Sequence, residues 1–289
     1  MTQHSSVRRV AWLAAFAFVV SSCGGGGGSS STPASPSSPT TPTGSNPTPT
    51  PPATAGCIAI GGFAGTLQGI TNGSSCANMA TTSVVKLNMK DSTGQSLGFC
   101  SGTVIASRAV LTAAHCVNGD VSTILVFQGT GGQVSSVSFA PHPSYRHTSS
   151  GSSGLDIGVV ITAADLDRTP LPLLFSRESR VGEQAVVAGW GQDETGSSNG
   201  LLKAGTTAIS AVTATWLETS GSLTSTNVCA GDSGGPLLLS EGGAWALGGV
   251  TSATSGGAYC NSGTSYFANL RNSDAQSFIL GLVPGLTQK

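Results

Sequence analysis

The stretch Ala230-Gly231-Asp232-Ser233-Gly234-Gly235-Pro236 decides how this chain is read. A serine flanked by glycines can sit on a tight turn that backbone N–H groups line. A hydroxyl is a weak nucleophile at its own pKa, so it needs an adjacent base, and that base needs an orienting carboxylate. Two segments upstream offer those groups: Leu111-Thr112-Ala113-Ala114-His115-Cys116 and Leu155-Asp156-Ile157-Gly158-Val159-Val160. Asp156 stands among apolar neighbours, where a charge is costly unless a partner such as His115 receives it. The order is His…Asp…Ser, each residue in a matching context.

At these residues the chain resembles the trypsin/chymotrypsin-like serine endopeptidases. Further blocks follow in the family's order: Gly98-Phe99-Cys100-Ser101-Gly102-Thr103-Val104-Ile105, His142-Pro143-Ser144-Tyr145, Gly189-Trp190-Gly191 and Gly248-Gly249-Val250-Thr251-Ser252. The resemblance runs from about Ile70 to the end of the chain. It implies that Ser233 attacks the peptide carbonyl, that His115 takes its proton and that Asp156 orients His115. It also implies an oxyanion hole made by the N–H groups of Gly231 and Ser233. Ser252 falls where the family supports the buried carboxylate and pairs with substrate backbone.

By the same resemblance Asn227 occupies the floor of the primary specificity pocket, where trypsin-like members carry Asp. Thr254 and Thr264 fall on its walls, where wide-pocket relatives carry Gly. A neutral floor and branched walls imply small to medium uncharged side chains, because nothing offsets the desolvation of a substrate Arg or Lys. In the family, the carboxylate at Asp232 pairs with an ammonium freed by cleavage. Ile70-Thr71-Asn72-Gly73 resembles that mature start, whereas Ile58 and Ile60-Gly61-Gly62 lie too far back. Gln68-Gly69 precedes Ile70 where many relatives have Arg or Lys, so the activating protease is not trypsin-like or activation differs.

About 220 residues form the candidate domain, enough for one sizeable core or two small ones. Short β-like runs recur between turn signals: 83–89, 102–105, 109–112, 123–128, 157–162, 184–188, 236–239 and 245–251. Helical spacing is scarce until 272–282, where Phe278, Ile279 and Leu282 share a face. Periodicity reaches an all-β sandwich or barrel with a closing helix. The resemblance implies two six-stranded antiparallel β-barrels with the site between them, His115 and Asp156 from the first and Ser233 from the second.

The N-terminal quarter differs in kind. Residues 1–22 read as an export signal: Arg8 and Arg9 precede an apolar run, Val10 to Val20, too short to span a bilayer. Val20-Ser21-Ser22-Cys23 resembles the lipobox of bacterial lipoproteins, which makes Cys23 the lipid acceptor. The chain has seven cysteines, and setting Cys23 aside leaves six, an even number suited to an oxidising compartment. Fifteen pairings of six are possible. The resemblance implies Cys100 with Cys116 and Cys229 with Cys260, which leaves Cys57 and Cys76. Residues 23–56 read as a Gly/Ser/Thr/Pro-rich tether without charge, 57–69 as a propeptide-like segment and 70–289 as the protease domain. With Gly24 after Cys23, the expected location is the cell envelope, at the outer membrane or cell surface.

The other chemistries fit poorly. A net charge of −1 and the absence of a basic run give no reason to expect nucleic acid. No His/Cys/carboxylate cluster has metal-ligand spacing, and the 127–139 loop carries no acidic residue for calcium. No metal or cofactor is therefore expected, and the partners are a peptide or protein substrate and a membrane. A monomer is expected. His142 and His147 read as surface residues, and Asp165 and Asp167 as a solvated turn. The alternative to an enzyme is a cell-surface binding domain of the same fold, which has no need of His115, Asp156, Ser233 and Gly231 together. An esterase is disfavoured because the strand–Gly-x-Ser-x-Gly–helix context is lacking.

Overall fold

The computed structural model describes residues 54–61, 70, 73–76, 81–129, 132–148, 151–193, 195–197, 200–222, 226–255, 260 and 262–289. The export signal, Cys23, most of the tether and residues 62–69 lie outside the described residues. A short helix, α1 (Thr54–Ala59), and a two-residue strand, β1 (Ser74–Ser75), come first. The helix straddles the 56/57 division between tether and propeptide-like segment, and it packs on the second barrel.

The first barrel is built from β2 (Val84–Lys90), β3 (Ser96–Ala106), β4 (Ala109–Thr112), β5 (Thr123–Phe127) and β6 (Gln133–Pro141). After a hairpin, β7 (Arg146–Thr148) and β8 (Gly151–Ser153), strand β9 (Gly158–Thr162) completes it. These strands close in the order β2-β3-β4-β9-β6-β5, every neighbour antiparallel. The residue types explain the arrangement. In β2 and β5, Leu87, Met89, Ile124 and Val126 point inward while Lys86, Asn88 and Thr123 alternate outward. Strand β4 is buried throughout, because its outer face is covered as well.

The second barrel comprises β10 (Gln184–Gly189), β11 (Lys203–Val212), β12 (Trp216–Gly221), β13 (Pro236–Glu241), β14 (Ala244–Thr254) and β15 (Gly263–Asn269). It closes because β11 pairs with both β10 and β12, and β1 adds to its outside along β11. A final helix, α2 (Ser273–Leu282), is capped by Asn272, whose side chain accepts from the Asp274 and Ala275 N–H groups. Two six-stranded antiparallel barrels and a C-terminal helix are the expected architecture.

Three features depart from the sequence reading in detail. Of the barrel strands, β6, β11, β12 and β15 escape it: β6 (QVSSVSFAP) is rich in polar residues, has no buried residue and gives no strict apolar–polar alternation. The C-terminal helix starts at Ser273, because Asn272 serves as cap rather than first turn. His142 is not a surface residue. It is 5% exposed, stacked edge-on against Phe278 of α2 at 4.9 Å between ring centres, with Nδ1 2.8 Å from Ser144 Oγ. Its loop tucks beneath a helix 130 residues away, which local polarity could not reveal. His147 is exposed as expected.

Candidate active site

His115 sits in a single 3₁₀ turn, Ala114–Cys116, immediately after β4. Cys116 is bonded to Cys100 of β3, so a disulfide closes the loop that carries the imidazole. Asp156 lies just before β9, with no solvent exposure. Its Oδ2 lies 2.8 Å from His115 Nδ1, and its Oδ1 accepts the His115 backbone N–H at 3.0 Å. Ser252 Oγ, from β14 of the other barrel, donates to Oδ2 at 2.5 Å. Burial pushes the Asp156 pKa up, but the His115 and Ser252 hydrogen bonds and the His115 charge hold it below the ordinary carboxylate value. An ionised Asp156 therefore fixes the imidazole with its other nitrogen, Nε2, facing away from the carboxylate. Tyr145 packs nearby, and burial plus the Asp156 charge push its phenol up to about 12.

The nucleophile turn is tied to the first barrel by backbone. The Ser101 N–H donates to the Ser233 carbonyl at 2.8 Å, and Ser101 Oγ donates to the Gly231 carbonyl at 2.9 Å. Two glycines are required by geometry. Gly231 adopts φ +93, and Gly234 adopts φ +81 where a Cβ would lie 2.0 Å from Thr112 Oγ1. Among the described residues, neither the Gly231 nor the Ser233 N–H donates a hydrogen bond, and the Ser233 hydroxyl has no partner. Two free donors beside an unengaged hydroxyl form the arrangement an oxyanion requires. The structure thus joins His115, Asp156 and Ser252 directly and brings Ser233 in through Ser101.

Asp232, the neighbour of Ser233, is fully buried. Its carboxylate accepts the Gly191 and Cys229 N–H groups, each at 2.8 Å. Burial pushes its pKa up to about 6, with those bonds and the Lys203 charge opposing. Ile70 is fully buried in the apolar cluster that includes Val187, Val228 and Leu237 of the second barrel.

Asn227 is 1% exposed. Its Nδ2 donates to the Cys260 carbonyl at 2.9 Å and to that of Ser262 at 3.2 Å, while Oδ1 accepts from Ser265 Oγ. Thr254 on β14 and Thr264 on β15 are half-buried. Three disulfides are present: Cys57–Cys76, Cys100–Cys116 and Cys229–Cys260. Cys100, His115 and Cys116 cluster within 4.8 Å, but the two sulfurs are bonded to each other and offer no thiolate to a metal.

Cavities flank the triad on both sides. One of about 410 Å³ is lined by His115, Asn118, Gly119, Tyr145 and His147. Another of about 210 Å³ runs from Gly231 past Trp190 and Phe99 to Lys86, whose ammonium lies 4.2 Å from the Phe99 ring centre. Two contributors escaped the sequence reading. Ser101 carries no signal that separates it from other strand serines. Lys203 does carry one: it is a lone charge in Leu201-Leu202-Lys203-Ala204, the same kind of context that singles out Asp156.

The family model described as Trypsin matches residues 70–277. Phenoloxidase-activating factor 3 of Holotrichia diomphalia is 30% identical over 194 residues, covering 53% of this chain and 54% of that protein. The chain thus spans about half the length of that relative. A trypsin of Saccharopolyspora erythraea is 28% identical, covering 50% of this chain and 71% of its own. For the alkaline C trypsin of Manduca sexta the figures are 27%, 63% and 81%. Among solved structures, HL collagenase superposes with a TM-score of 0.58 at 22% identity, covering 74% of this chain and 98% of that one, a likeness of fold. With the triad order, the two closed barrels and a family match over most of its length, the chain belongs to the trypsin family of serine proteases.

Proposed function

We propose that this protein is a serine endopeptidase working through an acyl-enzyme. The observation that carries the reading is the pairing of His115 with the buried Asp156, set beside a Ser233 turn whose Gly231 and Ser233 N–H groups donate to none of the described residues. Ser233 Oγ attacks the scissile carbonyl carbon as its proton passes to His115 Nε2. The carbonyl oxygen, now negative, takes the Gly231 and Ser233 N–H groups, and Asp156 stabilises the imidazolium. Collapse breaks the C–N bond, and the leaving amine takes the proton from His115. Water, deprotonated by His115, then hydrolyses the ester and restores Ser233.

The primary pocket is read as accepting small or medium uncharged side chains. Support comes from the neutral Asn227 amide, engaged on the Cys260 and Ser262 carbonyls and on Ser265, and from the branched Thr254 and Thr264. Export, anchoring through a lipid on Cys23 and a place in the cell envelope rest on the composition of residues 1–56. Cleavage between Gly69 and Ile70 rests on the family match beginning at Ile70 and would supply an ammonium for Asp232.

Fluorophosphonate labelling tests the reading directly. Wild type should carry one adduct on Ser233, and Ser233→Ala, folded and with its disulfides intact, should carry none. A domain that labels in neither form is a binding module.

A further inference from the structure

Lys203 heads the largest fully buried side chains, at 1% exposure, and it takes no part in the chemistry above. A buried ammonium is costly unless charge or hydrogen bonds compensate it. Its Nζ lies 3.6 Å from Asp193 Oδ2 and, among the described residues, makes no hydrogen bond, so the compensation found there is electrostatic. Lys203 pairs across the sheet with Gly189, and a Cβ on Gly189 would lie 2.1 Å from Asp232 Oδ1. The cation therefore acts on two carboxylates: its charge helps hold Asp193 below the ordinary value and opposes the burial that raises Asp232.

The segment between those carboxylates supports the oxyanion hole. The Gly191 N–H holds Asp232, the Gln192 N–H donates to the Ala230 carbonyl at 2.9 Å, and Asp193 faces Lys203. Ala230 is the residue before Gly231, so three consecutive anchors fix the backbone that presents the hole. All three are in place while the chain through Ile70 is uncut and offers Asp232 no free amine.

We propose that Lys203 is a positioning residue, a built-in cation that, paired with Asp193 and facing Asp232, keeps the oxyanion hole open before any cut at Ile70. The proposal rests on the endopeptidase reading and deepens it: the uncut chain is already an enzyme, and cleavage adds a second cation to a site that has one.

The test compares uncut and cut forms of one protein. Gly69→Arg lets limited trypsin cut before Ile70, and reduced intact mass separates the two species after fluorophosphonate labelling. The uncut form should label on Ser233. Lys203→Met in that background should lower the ratio of uncut to cut labelling rates by tenfold or more, and Lys203→Arg should restore it to within about threefold. Asp193→Asn should lower the ratio in the same direction and keeps the test open if Lys203→Met does not fold. Labelling of the cut form alone, or an unchanged ratio in folded Lys203→Met, overturns the proposal. No labelling of either wild-type form is instead a failure of the endopeptidase reading.

Discussion

The Ser252 hydroxyl, on the second barrel, donates to Asp156 Oδ2 at 2.5 Å, on the carboxylate supplied by the first. The same oxygen lies 2.8 Å from His115 Nδ1, so the tautomer of the base depends on a bond between barrels. Removing a hydrogen bond to a charged acceptor costs about 1.5–3 kcal/mol. Ser252→Ala should therefore lower kcat/KM by roughly tenfold to a hundredfold, and Asp156→Asn by about 10⁴. Steady-state peptide hydrolysis checks both, and a Ser252→Ala enzyme equal to wild type would show that Asp156 needs only His115.

Asp232 makes a prediction about pH. Its folded pKa is raised to about 6, so the folded uncut chain holds a proton there that the unfolded chain has released. The resulting stability is present below the ordinary carboxylate value and lost as pH rises through about 6. Thermal melts of the uncut protein should rise as pH falls from 7 towards 5, and Asp232→Asn should flatten that slope. Below pH 4 the sign reverses, because Asp156 and Asp193 have lowered values and lose their bonds on protonation. A flat wild-type profile between pH 5 and 7 would contradict a buried Asp232 that the uncut chain leaves without a free α-amine.

Substrate profiling checks the pocket. Asn227 offers a substrate cation no charge, and its amide is held at 2.9 Å by the Cys260 carbonyl. Peptides with Ala, Val or Thr before the scissile bond should be cleaved faster than those with Arg or Lys, by tenfold or more. A library that selects Arg or Lys rejects this assignment of floor and walls.

The Cys57–Cys76 bond spans the proposed cut, with Cys57 on the N-terminal side of Ile70 and Cys76 on the catalytic side. A chain cut before Ile70 should therefore stay joined to its leader. Washed membranes should retain the fragment beginning at Ile70, and mild reductant should release it. Retention after demonstrated reduction of this disulfide would mean that other contacts, such as those of α1, hold it.

Much of this site was legible because chemistry leaves local marks. Asp156 announces itself as a charge among Leu155, Ile157 and Val159, and Ser233 as a serine in a glycine turn. Periodicity was weaker, since β6 has no buried residue and β11 and β12 mix Thr, Ala and Gly. What stayed hidden depends on distant contacts. Ser101 matters because it lies within reach of residues 130 positions later, and His142 is buried only because α2 arrives over it.

Ser101 bonds to Ser233, to Gly231 and, by accepting at its hydroxyl, to the Trp190 N–H at 2.9 Å. One residue of the first barrel, through its N–H and its hydroxyl, thereby gauges the placement of the second. Strand β9 ends at Thr162 and β10 begins at Gln184, so a break between them would divide base from nucleophile. Each half would keep its share of the groups yet perform no chemistry alone. Turnover on mixing would then count re-associated halves, which makes this site a natural readout of a split protein reassembling.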